Sequence, residues 1–360
     1  MSRQDSSRYD ERDVRTRPNP HGSRPRTKQR PGHEDADHGL VTGVDRGRYT
    51  LLVAPDSPDE RVVTAMKARE LGRDRVVCGD LVDVVGDTSG HAGSLARIVR
   101  ITPRRTLLRR TADDTDPVER VIVANAHQLV IVTALADPEP RTRMIDRCVV
   151  AAYDAGMDAL LCLTKADLAD PAELVAMYAP IGVDVVVTSL PGGSGGDLGR
   201  GSGAARQING LDDLRGRLAG RTSVLVGHSG VGKSTLVNTL VPDAARATGV
   251  VNDVTGRGRH TSSSAVALRL PDHSGWVIDT PGVRSFGLAH VQVDSLLAAF
   301  GDLATVATEL CPRGCTHAAD APDCALDDWV AQAAPDQAEA RAARVDSMRR
   351  LLAARTADTL

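Results

Sequence analysis

Thr222–Leu240, TSVLVGHSGVGKSTLVNTL, is the stretch whose reading decides the fold. Its apolar run TSVLVG reads as a strand, and STLVNTL opens a helix. Between them Gly227, His228, Ser229, Gly230, Val231, Gly232, Lys233 and Ser234 satisfy GxxxxGK[ST], in the strand–loop–helix setting that the pattern requires. Glycines let successive backbone N–H groups curl around phosphate oxygens, and the helix N-terminus adds positive potential. Lys233 is expected to reach the β- and γ-phosphates and Ser234 to ligate Mg2+, with Thr235 ending the nucleotide-contacting run. A glycine turn ahead of an ordinary helix is the competing reading.

Downstream, GWVIDT ends an apolar strand on Asp279, followed by Thr280, Pro281 and Gly282. An aspartate there can hold Mg2+ through water, and the Gly282 amide can sense a γ-phosphate. Alone, DTPG could be a plain turn; after a phosphate loop it fits the second strand of the same site. Between the two motifs lies Gly256-Arg-Gly-Arg-His260-Thr261-Ser-Ser-Ser264. Thr261 could complete the magnesium shell and His260 could face the γ-phosphate; a solvated loop is the alternative.

Upstream, DALLCLTKADL ends a buried strand with Thr164, Lys165, Ala166 and Asp167. A carboxylate at Asp167 would accept from both N1–H and N2–H2 of guanine, a donor pair that adenine lacks. The Lys165 stem can lie across the purine, and backbone amides in Thr188–Leu190, Ser189 among them, would meet guanine O6. The candidate ligand is therefore GTP, and the base motif precedes the phosphate loop.

The rest of the chain divides by composition. Residues 1–38 are rich in Arg, Pro, Ser and Asp without hydrophobic periodicity, and read as a disordered basic tail, either a solubilising extension or an RNA-contacting arm. Residues 39–112 hold short strand-like runs (GLVTGVD, YTLLVA, RVVTAMKA, DLVDVV, LARIVRI) parted by Gly, Asp and Pro, as in an OB-type β-barrel. The single aromatic there, Tyr49, makes a base-stacking platform improbable, so RNA contact is expected from Arg97, Arg100, Arg104 and Arg105 on phosphates. Arg104 to Pro117 reads as a linker. Residues 113–290 alternate strands with helices, the signature of a parallel α/β sheet; Gly192–Gly203 within it reads as a flexible loop. Residues 291–360 carry a Cys/His cluster and an amphipathic terminal helix, Pro335–Arg355.

That cluster is Cys311-x3-Cys315-x-His317-x6-Cys324. Three thiolates and an imidazole make a closed tetrahedral Zn2+ set, structural rather than catalytic because protein fills every position; free thiols beside an ordinary histidine are the alternative. Cys78, Cys148 and Cys162 sit in apolar runs and are expected in the core. With 360 residues, a net charge of −3, no signal-peptide h-region and no membrane-length apolar run, a cytoplasmic, non-membrane, monomeric protein is expected.

The order of base motif, P-loop, GRGRHTSS loop and DTPGVRSF, flanked by a barrel and a Cys/His cluster, resembles the circularly permuted ribosome small-subunit-dependent GTPases. The resemblance spans Gly39 to Cys324. It implies GTP hydrolysis stimulated by the small ribosomal subunit and its rRNA during late subunit maturation, and one bound zinc. Three features depart from that family or from Ras-like enzymes. Thr164 stands where the family usually has Asn, which predicts a weaker tether to the P-loop. Val283 stands where Ras-like enzymes carry a water-orienting Gln, which implies slow intrinsic turnover completed by His260 or the partner. The first and last gaps of the Cys/His cluster each differ by one residue from the family pattern.

Overall fold

The computed structural model describes residues 33–111, 119–189, 210–242, 244, 265–280, 286, 288 and 291–356. Most of the N-terminal tail, the Gly-rich stretch 192–203, the loop carrying His260 and Thr261, and Gly282 with Val283 lie outside them.

Five strands, β1 (Asp37–Asp45), β2 (Arg48–Val53), β3 (Arg61–Lys67), β4 (Leu81–Gly86) and β5 (Ala96–Ile101), run in the order β1-β2-β3-β5-β4. β4 returns to β1, so the sheet closes into a barrel and leaves no edge between them. Period-two alternation fills it: Val63 and Ala65 of β3 point into a core with Val41, Leu51, Val82, Val84 and Ile98, while Val62 and Met66 face out. Tyr49 belongs to that core. Arg104 is a correction. Asp80 is fully buried and its carboxylate accepts from Arg104 at 2.7 and 2.8 Å, so this arginine neutralises the barrel instead of facing phosphates. Arg97, Arg100 and Arg105 are exposed.

The expected linker is also partly strand. β6 (Leu107–Thr111) pairs antiparallel with β7 (Glu119–Ala124), pinned by buried Leu108 opposite buried Val123. Arginines on the outer face of this hairpin hide its periodicity in the sequence. Next to β7, barrel and α/β region approach closely. Ala124 N–H donates to the Cys78 carbonyl at 3.0 Å, and Asn125 Nδ2 donates to the Gly79 carbonyl at 2.9 Å.

The second sheet is ordered β10-β9-β8-β11-β13-β12, from β8 (Gln128–Ala134), β9 (Asp158–Thr164), β10 (Asp184–Val187), β11 (Thr222–Gly227), β12 (Val266–Arg269) and β13 (Trp276–Asp279). All its pairings are parallel except β12 with β13. Burial on both faces explains the unbroken apolar runs, β8 being buried throughout. On one face lie α3 (Leu211–Leu218) and α4 (Lys233–Leu240). On the other lie α1 (Thr142–Asp154), α2 (Ala172–Tyr178) and the C-terminal helices α5 (Val293–Ala298), α6 (Gly301–Leu310), α7 (Ala325–Ala331) and α8 (Ala338–Thr356). The final helix buries Val345, Met348, Leu351 and Leu352, the expected amphipathic face. Arginines anchor it further: Arg350 reaches buried Asp146 at 3.2 Å, and Arg344 binds Asp302 and the Pro180 carbonyl, both at 2.7 Å. Burial still raises the Asp146 pKa, with Arg350 and the Tyr178 hydroxyl pulling the other way. No described helix is long and apolar enough to cross a membrane.

Gly79 has φ +88°, and a Cβ there would lie 2.0 Å from the Ala124 carbonyl oxygen. Gly79→Ala is therefore expected to destabilise the protein by on the order of 3 kcal/mol, because both backbone and neighbour must shift. A lowered urea midpoint in full-length protein checks this; an unchanged midpoint would mean that the joint is slack.

Candidate functional site

In a parallel α/β sheet, ligands gather beyond the carboxyl ends of the strands. Three strands bring the sequence motifs to that edge. β11 lies between β8 and β13, with Gly227 opposite Val132 and Leu225 opposite Asp279. β9 follows β8 on the far side and ends on Thr164, opposite Ala134. Hydrogen-bond register thus converges the P-loop, TKAD and Asp279, although TKAD precedes the P-loop in the chain.

The P-loop turns into α4 through Gly232, whose φ of +90° is a left-handed conformation that other residues resist. The helix buries Leu236, Val237 and Leu240, which leaves its first turn, with Ser234 and Thr235, exposed at the edge. Lys233 is mostly buried and its ammonium pairs with the Asp279 carboxylate. The site therefore places one cation and one anion where a phosphate and a divalent cation would each find a partner. Thr280 is buried, and its hydroxyl donates to the Leu225 carbonyl at 2.9 Å, which fixes the backbone just after Asp279.

On the base side, Thr164 supplies a tether to the P-loop. Thr164 is buried and its hydroxyl donates to the carbonyl of Val231, inside the P-loop, at 2.6 Å. Gly232, next to that carbonyl, holds φ +90°, and a Cβ there would meet the Thr164 hydroxyl only in ordinary contact at 3.8 Å, so the glycine serves the backbone turn. Lys165 donates to the Asp137 carbonyl, a partner that no side-chain motif could have announced. The Ser189 hydroxyl donates to Asp167 at 3.2 Å, so the two residues expected at the base are neighbours. Thr188 is excluded as an amide donor, since its N–H already donates to the Leu163 carbonyl at 2.7 Å. Ala166 lies between, its N–H on the Thr188 carbonyl.

A separate cluster gathers Cys311, Cys315, His317 and Cys324, whose ligand atoms all lie within 4.8 Å of one another. His317 Nδ1 stands 3.6 Å from Cys311 Sγ and 3.8 Å from Cys324 Sγ. With metal–sulfur bonds near 2.3 Å and metal–nitrogen bonds near 2.0–2.1 Å, a tetrahedron has edges of about 3.5–3.8 Å, so the donor set fits such an ion. Burial lowers the His317 pKa, keeping the imidazole neutral, and pushes the Cys324 thiol up to about 11. A divalent cation among these groups would reverse that penalty by stabilising thiolates. Arg349, not singled out from the sequence, braces the cluster: it donates to the His317 carbonyl at 3.2 Å and to Asp327 at 2.8 and 2.9 Å, holding that carboxyl below the usual range.

Comparisons with known proteins agree with this geometry. The RsgA GTPase family model matches residues 101–199 and 201–289. The small ribosomal subunit biogenesis GTPase RsgA of Alcanivorax borkumensis is 34% identical over 299 residues, covering 81% of this chain and 78% of its own. The protein of the same name from Gemmatimonas aurantiaca is 34% identical over 278 residues, covering 75% and 84%. Among solved structures, YjeQ from Thermotoga maritima superposes with a TM-score of 0.58 at 23% identity, covering 87% of this chain and 98% of that one. YloQ, described as a circularly permuted GTPase, gives 0.56 at 20% identity, covering 89% and 98%. The chain belongs to the RsgA GTPase family and is a GTP hydrolase.

Proposed function

We propose that this GTPase is a late-stage maturation factor of the small ribosomal subunit, acting as a cytoplasmic monomer whose slow turnover is raised by the subunit and its rRNA. The observation that carries the reading is the meeting of TKAD and P-loop at one sheet edge through the Thr164–Val231 hydrogen bond, a guanine-nucleotide arrangement. Relatives named for small-subunit biogenesis supply the partner.

Asp167 selects guanine by accepting two donors, with Ser189 orienting the carboxylate and Lys165 covering the ring. Gly227 through Thr235 surround the phosphates, and Lys233 leaves Asp279 to neutralise the β- and γ-oxygens. Ser234, Thr261 and Asp279 hold Mg2+, which supplies charge neutralisation on the transferring phosphoryl group. Gly282 reads the γ-phosphate, and His260 positions the attacking water, because Val283 offers no group that can. Cys311, Cys315, His317 and Cys324 hold one structural Zn2+, with donor spacing as its support.

The deciding experiment is the GTPase rate with and without purified small subunits. Slow basal turnover, strongly accelerated by subunits and abolished by Lys233→Ala, is expected; a rate indifferent to subunits would point instead to a GTPase serving another partner. The tether generates a second expectation. Thr164→Val keeps the shape but removes the hydroxyl, leaving the Val231 carbonyl unpaired in a buried place. Guanine-nucleotide affinity should fall about 5- to 100-fold, a cost of roughly 1–3 kcal/mol, whereas Thr164→Ser retains most of it. Equal binding by all three proteins in a fluorescent-nucleotide titration would show the tether to be idle. For the metal, elemental analysis should find about one zinc per chain. Cys315→Ser should lower both zinc content and thermal stability while sparing nucleotide affinity; a zinc-free native protein with an unaltered melt would refute the assignment.

A further inference from the structure

β12 is a four-residue strand that touches both halves of the molecule. Val266 is aligned with Asp279 of β13 on one side and with Gly43 of β1 on the other, where β1 carries a bulge between Val41 and Gly43. This register pair joins barrel and α/β sheet along their backbones, as the Ala124–Cys78 hydrogen bond does beside β7. At the other end of β12, side chains take over. Arg269, 17% exposed, donates from Nη1 to both oxygens of Glu60 at 2.9 and 2.8 Å and from Nη2 to Asp56. Both acids lie on the barrel connection between β2 and β3, and that connection is closed by the Asp56 N–H donating to Glu60 at 2.8 Å. The same guanidinium stacks 5.3 Å above Trp276, its cross-strand partner on β13.

A planar guanidinium holding two carboxylates and an aromatic face permits few geometries, more restrictive than a lysine at the same place. The barrel is thus attached at the Gly79–Ala124 joint beside β7 and along β12, where the Val266–Gly43 pairing, the Arg269 clamp and a 3.1 Å contact from His273 Nδ1 to Asp56 act together. A turn of the barrel about the first joint displaces the second. Because β12 is hydrogen-bonded to the strand that ends in Asp279, that displacement reaches the nucleotide site.

We infer that Arg269 is a positioning residue for GTP hydrolysis: it couples the barrel to the strand bearing Asp279, so that occupancy of the nucleotide site and the setting of the barrel govern one another. This rests on the assignment of the P-loop and Asp279 to Mg2+–GTP. The coupling is reciprocal, so it is readable from the protein and nucleotide alone.

The test is amide hydrogen exchange of the full chain with Mg2+ and either GDP or a non-hydrolysable GTP analogue. In wild type, protection in the Asp56–Glu60 segment and in β1 should differ between the two nucleotides. In Arg269→Gln that difference should disappear, while analogue affinity stays within about two-fold and the melting profile remains cooperative. Arg269→Lys should keep part of it, and Arg269→Glu combined with Glu60→Arg should restore part. With small subunits added, Arg269→Gln should lose about five-fold or more of the stimulated turnover. A barrel that exchanges alike with both nucleotides in wild type, or a difference surviving intact in Arg269→Gln, would overturn the coupling. Failure of the analogue to bind wild type at all would instead overturn the nucleotide-site assignment on which it rests.

Discussion

The hydrogen-bonded ladders on either side of β11 are the constraint on which the rest depends. Through them Gly227 lies opposite Val132, and Leu225 opposite Asp279. A slip of one residue along either ladder would turn side chains to the wrong face and carry Asp279 away from Lys233. Buried apolar surface on both faces forbids the slip, since Val224, Leu225 and Val226 are each packed against helices. Precision in the polar site is therefore an outcome of packing in the apolar core.

Those ladders also explain why circular permutation is compatible with nucleotide chemistry. Strand pairing depends on which edges meet, not on which strand was made first. β8 and β9 precede the P-loop here and still pair beside it, and the Thr164–Val231 hydrogen bond closes the gap between base motif and phosphate loop. The junction thus uses a hydroxyl at Thr164 and, for the left-handed turn into α4, a glycine at position 232.

Legibility in the sequence tracked the range of the determining interaction. Strands of the barrel and the α/β sheet were readable because periodicity and turn residues are local, as were the P-loop and the Cys/His spacing. The β6–β7 hairpin was missed because Arg109, Arg110 and Arg120 and a register shift after Leu108 break the alternation of its apolar residues. Arg104 was assigned to RNA because a surface arginine and one neutralising Asp80 look alike until burial is known. The acceptor of the Thr164 tether was illegible because it is a backbone carbonyl far along the chain. Arg349 and Arg269 escaped for the same reason: nothing near either residue in sequence names Asp327, Asp56 or Glu60.

Those two arginines point to a division of labour. In an arginine-rich chain, a guanidinium at a seam binds carboxylates in fixed geometry and adds a polar register to whatever apolar surface the segments share. Arg269 does so between barrel and sheet, and Arg349 between α8 and the metal loop. Arg350 does so between α8 and α1, with Tyr178 under its plane at 5.1 Å. Each seam is polar enough to be cut by a modest competing interaction, yet specific enough to re-form in one register. An apolar seam of equal area would hold harder but slide more easily. On the proposed reading, in which a large polyanionic partner docks on the outer modules, the first kind serves better, because a setting that is unique and only moderately stable is one that docking can change.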